Sequence, residues 1–127
     1  MNFSEGTVPI DRRVQLVTSE IENNLSRAWS AEELAALTSL SPSRFRHLFK
    51  SQIGEAPMRY LKSRRMQEAA VLLRTTTQSV KQIMHRVGTT DASNFVREFQ
   101  KGFGVSPTMY RRLYGRLTSH RERSNKP

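Results

Sequence analysis

Two stretches of this 127-residue chain carry side chains whose types and spacing suit hydrogen bonding to flat, edge-presenting partners. The first holds Arg44, Arg46 and His47; the second holds Ser93, Asn94 and Arg97. A guanidinium offers a fork of donors that fits the O6 and N7 acceptors of guanine, and an asparagine amide fits the N6 and N7 of adenine. Other chemistries are thinly represented. Cysteine is absent, which removes disulfides, a thiol nucleophile and the usual zinc clusters, and fits a reducing compartment. His85 and His120 lack partners at metal-ligand spacing. No Ser/His/Asp set, paired carboxylates or phosphate-cradling glycine loop stands out. The expectation is therefore a protein that is not an enzyme, with no catalytic residues, metal or cofactor.

Charge points the same way as those two stretches. The chain has 21 basic and 11 acidic residues, a net charge of +10. Residues 1–40 hold three basic residues (Arg12, Arg13 and Arg27) against six acidic ones, so the excess lies in residues 41–127. A polyanion is the partner such a surface selects. No run of 18 apolar residues is present, so no transmembrane helix is expected, and MNFSEGTVPIDRR does not read as a secretory signal.

The two stretches belong to a repeat that must be built by helices. RFRHLFKSQIGEAPMRY (44–60) and NFVREFQKGFGVSPTMY (94–110) place Phe45, Phe49, Gly54, Pro57 and Tyr60 against Phe95, Phe99, Gly104, Pro107 and Tyr110, each 50 residues apart. Upstream the offset is 49, with Leu34, Ala35 and Ser39 matching Ile83, Met84 and Gly88, so the second copy has one extra residue in its turn. Val14, Val17, Ile21 and Leu25 recur at helical spacing and predict a first helix over about 10–26. Ser30-Ala-Glu-Glu33 and Ser79-Val-Lys-Gln82 read as capping boxes opening short helices. Ser41-Pro42 and Asp91 start the helices at about 42–53 and 91–103, which Gly54 and Gly104 stop. Pro57 opens a long helix to about Arg74, ended by Thr75-Thr76-Thr77, and Ser106-Pro107 caps the last.

The reading is all-α, with about seven helices in two helix-turn-helix subdomains, residues 10–56 and 76–115, joined by a linker helix at 57–75. Residues 1–9 read as a flexible leader and 116–127 as a disordered basic tail. In a helix-turn-helix the second helix enters the major groove, with its N-terminal residues at base edges. Two units in one chain can then read two adjacent groove segments without dimerising, roughly 34 Å per helical turn setting the separation. Shared apolar residues keep the two folds alike, while different polar residues let each copy read its own half of an asymmetric site.

At this point the chain resembles the DNA-binding domain of the AraC/XylS transcription regulators, with the layout of stand-alone members of that family. The resemblance covers about residues 10–115 and is strongest in GTTDASNFVREFQKGFGVSPTMYR, 88–111, with YLKSRRMQEAAVLL (60–73) similar to the family's linker helix and ELAALTSLSPSRFRHLFK (33–50) to its first helix-turn-helix. It implies a transcription regulator, an activator, that binds double-stranded DNA as a monomer and contacts RNA polymerase in the cytoplasm, at the nucleoid. Carried over by position, Ser43, Arg46 and His47 in the first copy and Ala92, Ser93, Asn94 and Arg97 in the second are the implied base contacts. Ser41, Lys50, Arg111 and Arg112 are the implied phosphate contacts. Several positions depart from the pattern: Ser39 stands where glycine is frequent, Met84 where alanine is favoured, Thr89 where an aromatic is usual, and Gln100 where lysine is usual. The first copy is therefore expected to supply more of the affinity. With seven helices filling the chain, no separate inducer-binding domain is expected. The alternatives are a non-specific architectural DNA binder and a protein-interaction adaptor on the same fold.

Overall fold

The computed structural model describes residues 9–115, and the expected leader and tail lie outside that range apart from Pro9. The elements are α1 (Arg12–Asn23), α2 (Ala31–Ala36), α3 (Pro42–Ile53), α4 (Pro57–Thr75), α5 (Val80–Arg86), α6 (Ala92–Phe103) and α7 (Pro107–Tyr114), with no strand among the described residues. They fall into two compact units. Unit 1 comprises residues 9–24 and 29–60, and unit 2 residues 25–28 and 61–115, so the division falls within α4.

In unit 1, α1 buries Val14, Val17 and Ile21, one face at three- and four-residue spacing. The helix is shorter than its predicted span at both ends. Asp11 accepts a hydrogen bond from the Arg13 N–H and acts as the N-cap, and Asn24 is the C-cap. Leu25 is therefore not on the helix, although it continues the apolar spacing; it lies past the cap and is only half-buried. Leu34 and Ala35 of α2 and Phe45 and Phe49 of α3 complete the core with Trp29, whose Nε1 donates to the Asn24 carbonyl at 3.0 Å. The Ser30 box has both hydrogen bonds, Glu33 N–H to Ser30 Oγ and Ser30 N–H to Glu33 Oε1, each 3.0 Å.

Unit 2 repeats the plan. Met66, Ala69, Ala70, Leu72 and Leu73 of α4 pack with Ile83, Met84, Val87, Phe95, Phe99 and Tyr110, and Phe103 packs against them half-buried. Met84 is accommodated in this core despite its length, as its flexible thioether chain permits. The Ser79 box mirrors the Ser30 box, with hydrogen bonds of 2.8 and 3.0 Å. At the end of α4, Thr75 and Thr76 hydroxyls donate to the Val71 and Leu72 carbonyls, both at 2.7 Å. Such back-bonding weakens a helix and helps to end this one.

The repeated aromatics have one structural meaning. Phe49 and Tyr60 meet edge to face at 5.6 Å and 70°, and Phe99 and Tyr110 at 5.4 Å and 79°. Gly54 and Gly104, at φ +100° and +82°, close α3 and α6 with N–H bonds to the Lys50 and Gln100 carbonyls. That left-handed conformation suits glycine because it has no Cβ. The Phe-x-x-x-Phe…Gly-x-x-Pro-x-x-Tyr pattern thus encodes a helix, its stop and the tyrosine that locks the next helix against it.

Candidate nucleic-acid interface

Each unit presents a helix whose buried and exposed positions follow one template. In α3, Phe45 and Phe49 are buried while Ser43, Arg44, Arg46, His47 and Lys50 are exposed. In α6, Phe95 and Phe99 are buried while Ala92, Ser93 and Arg97 are exposed and Asn94 is half-buried. Placing an aromatic pair inward at i and i+4 turns the opposite face of the helix outward. The polar side chains that can read bases therefore share one outward face on each helix.

The N-terminal ends of both helices are fixed by caps. Ser41 Oγ accepts from the Arg44 N–H at 3.2 Å, and Asp91 Oδ1 accepts from the Asn94 N–H at 3.0 Å. Ser41 is exposed and its O–H can still donate. On α6, Arg97 Nη1 lies 3.5 Å from Asn94 Oδ1, so donor fork and amide stand side by side on the helix. Lys50 and Arg112 are exposed, on the last turn of α3 and on α7.

Arg111 is placed differently from the expectation. It is half-buried; its Nε donates to the Leu73 carbonyl at 3.1 Å and its Nη2 to the Thr76 carbonyl at 3.0 Å. These are carbonyls at the C-terminal end of α4, which have no intrahelical donor and favour a cation. Burial pushes the Arg111 pKa down from its ordinary value. Its guanidinium closes a helix end and is not presented with the exposed basic side chains. Arg65 behaves similarly. It donates to the carbonyls of Leu25 and Arg27, beyond the end of α1.

One basic residue beside α3 had no signal in the sequence. Arg13, on the first turn of α1, lines an open groove of about 520 Å3 together with Ser43, Arg44, His47 and Ser51. It is held there by Asp11, with Nε to Oδ1 at 3.0 Å and Nη2 to Oδ2 at 2.9 Å. The Asp11 N–H in turn donates to Gln52 Oε1 near the end of α3, at 2.6 Å. These hydrogen bonds from Arg13, side chain first and backbone second, hold the Asp11 carboxyl at a pKa of about 2. The arrangement depends on a contact between residues 41 apart, which no local pattern announces. Among the described residues no cluster of three or more His, Asp or Glu could hold a metal ion, and no helix is long and apolar enough to cross a membrane.

Comparison with known proteins agrees with the all-helical fold. Residues 34–113 match the model of a helix-turn-helix domain family. The chain is 33% identical over 104 residues to the arabinose operon regulatory protein of Escherichia coli, covering 81% of this chain and 36% of that protein. It spans about a third of the length of the curated relatives it matches. Among solved structures it is similar to the C-terminal domain of AraT, a response regulator from Geobacillus stearothermophilus, with a TM-score of 0.80 and 28% identity over 85% of this chain and 90% of that one. It is also similar to the DNA-binding domain of AdpA, solved in complex with a target DNA, with a TM-score of 0.78 and 29% identity over 80% of this chain and 92% of that one.

Proposed function

Because this chain belongs to the AraC-type family of helix-turn-helix domains, we propose that it is a sequence-specific, DNA-binding regulator of transcription in which α3 and α6 each enter a major-groove segment. The observation that carries this reading is the shared template of the two helices. Their inward aromatics are the same, and their outward polar sets differ. A non-specific binder needs basic charge alone, whereas the outward faces here also carry Asn94, His47 and arginines whose donor patterns discriminate bases. Arg46 and His47 read with α3, Ser93, Asn94 and Arg97 with α6, and Ser43 and Ala92 are small residues that let bases approach closely. Ser41, Lys50 and Arg112 supply phosphate contacts, and Arg13, beside the same α3 face, joins them.

The remainder of the proposal concerns the working protein. It binds as a monomer, contacts RNA polymerase at promoters and activates, an assignment made by family analogy. It acts in the cytoplasm, on the nucleoid. Selection of sites from random double-stranded DNA tests the central claim. The expected outcome is a motif with two blocks of preference, one relaxed by Arg46→Ala and the other by Arg97→Ala. No enrichment over competitor DNA would sink it. In vitro transcription from a selected site tests activation, the expected result being more transcript with the protein than without.

A further inference from the structure

We infer that Arg65 is a positioning residue for the second reading helix, acting through a backbone strap, residues 25–28, that it clamps against the turn between α5 and α6. The inference rests on the DNA-reading role proposed above for α6.

The strap follows the α1 C-cap and runs through turns without helical or strand hydrogen bonding of its own. The chain on either side of it belongs to unit 1, yet the strap packs in unit 2. Arg65 secures it with a two-donor fork: Nε to the Leu25 carbonyl at 3.0 Å and Nη2 to the Arg27 carbonyl at 2.6 Å. A planar guanidinium spans two acceptors with little loss of freedom, which an ammonium does not match. Arg65 is half-buried, and burial pushes its pKa below the ordinary arginine value. It keeps its charge nonetheless.

Between the two clamped carbonyls lies Ser26, and its backbone rests on Gly88. A Cβ added to Gly88 would come within 2.8 Å of both Ser26 Cα and the Ser26 carbonyl oxygen. Gly88 is also in the left-handed region, at φ +90°. It ends α5, with its N–H on the His85 carbonyl and the Thr89 N–H on the Met84 carbonyl, both at 3.0 Å. Asp91, the cap that starts α6, follows two residues after Thr89. The equivalent position in unit 1 is Ser39, also left-handed at φ +64° but exposed. A side chain is tolerated there. The second turn takes glycine because the strap leaves no room for one, and the strap is held by Arg65.

The test uses the full chain in two arms. In site selection, Arg65→Ala is expected to weaken preference on the order of tenfold at the positions that Arg97→Ala relaxes. It leaves the positions relaxed by Arg46→Ala intact and the salt dependence of binding unchanged. Retained preference with a salt slope shallower by about one would make Arg65 a phosphate contact, and equal loss over the whole site would make it a general stabiliser; either overturns the inference. The second arm needs no DNA and uses Arg65→Lys, which keeps the charge without the fork. The amides of Gly88, Thr89 and Asn94 should exchange with solvent faster than in the parent, while the Phe45 amide of α3 keeps its rate. Unchanged rates at all three sink the inference. A parent chain that selects no motif sinks the DNA-reading role, and the exchange arm still decides the clamp.

Discussion

Arg97 and Arg111 are arginines of the same unit with opposite placements, and the difference lies in what each guanidinium reaches. Arg97 is exposed beside Asn94, whereas the Arg111 fork is occupied by the Leu73 and Thr76 carbonyls. Arg97→Ala should cost about 1–3 kcal/mol of discrimination at one part of the DNA site and shift the melting temperature little. Arg111→Ala should do the reverse. Losing charged hydrogen bonds to helix-end carbonyls destabilises by about 2 kcal/mol, with site preference kept. Paired melting and selection measurements on the two variants check this, and exchanged phenotypes would refute the placement. Ser39 gives a second residue-scale test. Its left-handed backbone, the one such non-glycine among the described residues, costs about 1–2 kcal/mol of Cβ strain. Glycine removes the strain but adds unfolded-state entropy worth about 0.4–1 kcal/mol. Ser39→Gly should therefore raise stability slightly, by no more than about 1.6 kcal/mol in denaturant titration. Asp11 sets a pH dependence of known sign. Its folded pKa of about 2 lies below the ordinary 3.8, so its pairing with Arg13 is present above that ordinary value and is lost as pH falls towards 2. The Asp11 carboxyl resonance should titrate in that window in the folded chain, and a midpoint near 4 would show the pair is not formed.

At the scale of elements, the two halves share capping as well as core. Ser30 and Ser79 each close a complete capping box, so Ser30→Ala and Ser79→Ala should each cost about 1 kcal/mol in thermal or denaturant melting. Phe49→Ala and Phe99→Ala remove fully buried rings that hold Tyr60 and Tyr110 and should cost far more, about 3–5 kcal/mol. These elements were legible in the sequence because their causes are local: caps three residues apart, aromatics at i and i+4, glycine at each helix stop. What escaped is tertiary. Leu25 continued the apolar spacing of α1, yet Asn24 ends that helix and Arg65 draws Leu25 into the other unit. Arg111 followed the basic pattern of its neighbour Arg112, and only the carbonyls left at the end of α4 reveal its role. The outward faces of α3 and α6 were legible for the same reason as the core, since fixing which aromatics point in fixes which polar residues point out. Arg13 reaches the α3 groove only through the packing of α1 on α3.

For the whole molecule, net charge is a poor measure of how strongly the chain responds to salt, because its arginines are not equivalent. The net +10 counts Arg65 and Arg111, whose donors already hold carbonyls. It also counts Lys50 and Arg112, which are exposed. Only cations that meet phosphates release counterions, each steepening the fall of log K with log salt by about 0.9. Lys50→Ala and Arg112→Ala should therefore each make the slope shallower by about 0.9 and weaken all sequences alike, with little effect on melting. Arg111→Ala, which removes the same formal charge, should leave the slope unaltered while lowering the melting temperature. Binding isotherms for the parent and these variants at several salt concentrations separate the two classes. If all the variants flattened the slope equally, the protein would be responding to total charge, and the division of its basic residues between helix ends and an exposed surface would be wrong. Unequal slopes from equal charge changes are what this division requires, because a guanidinium forked onto carbonyls neutralises no phosphate and so displaces no counterion from the DNA.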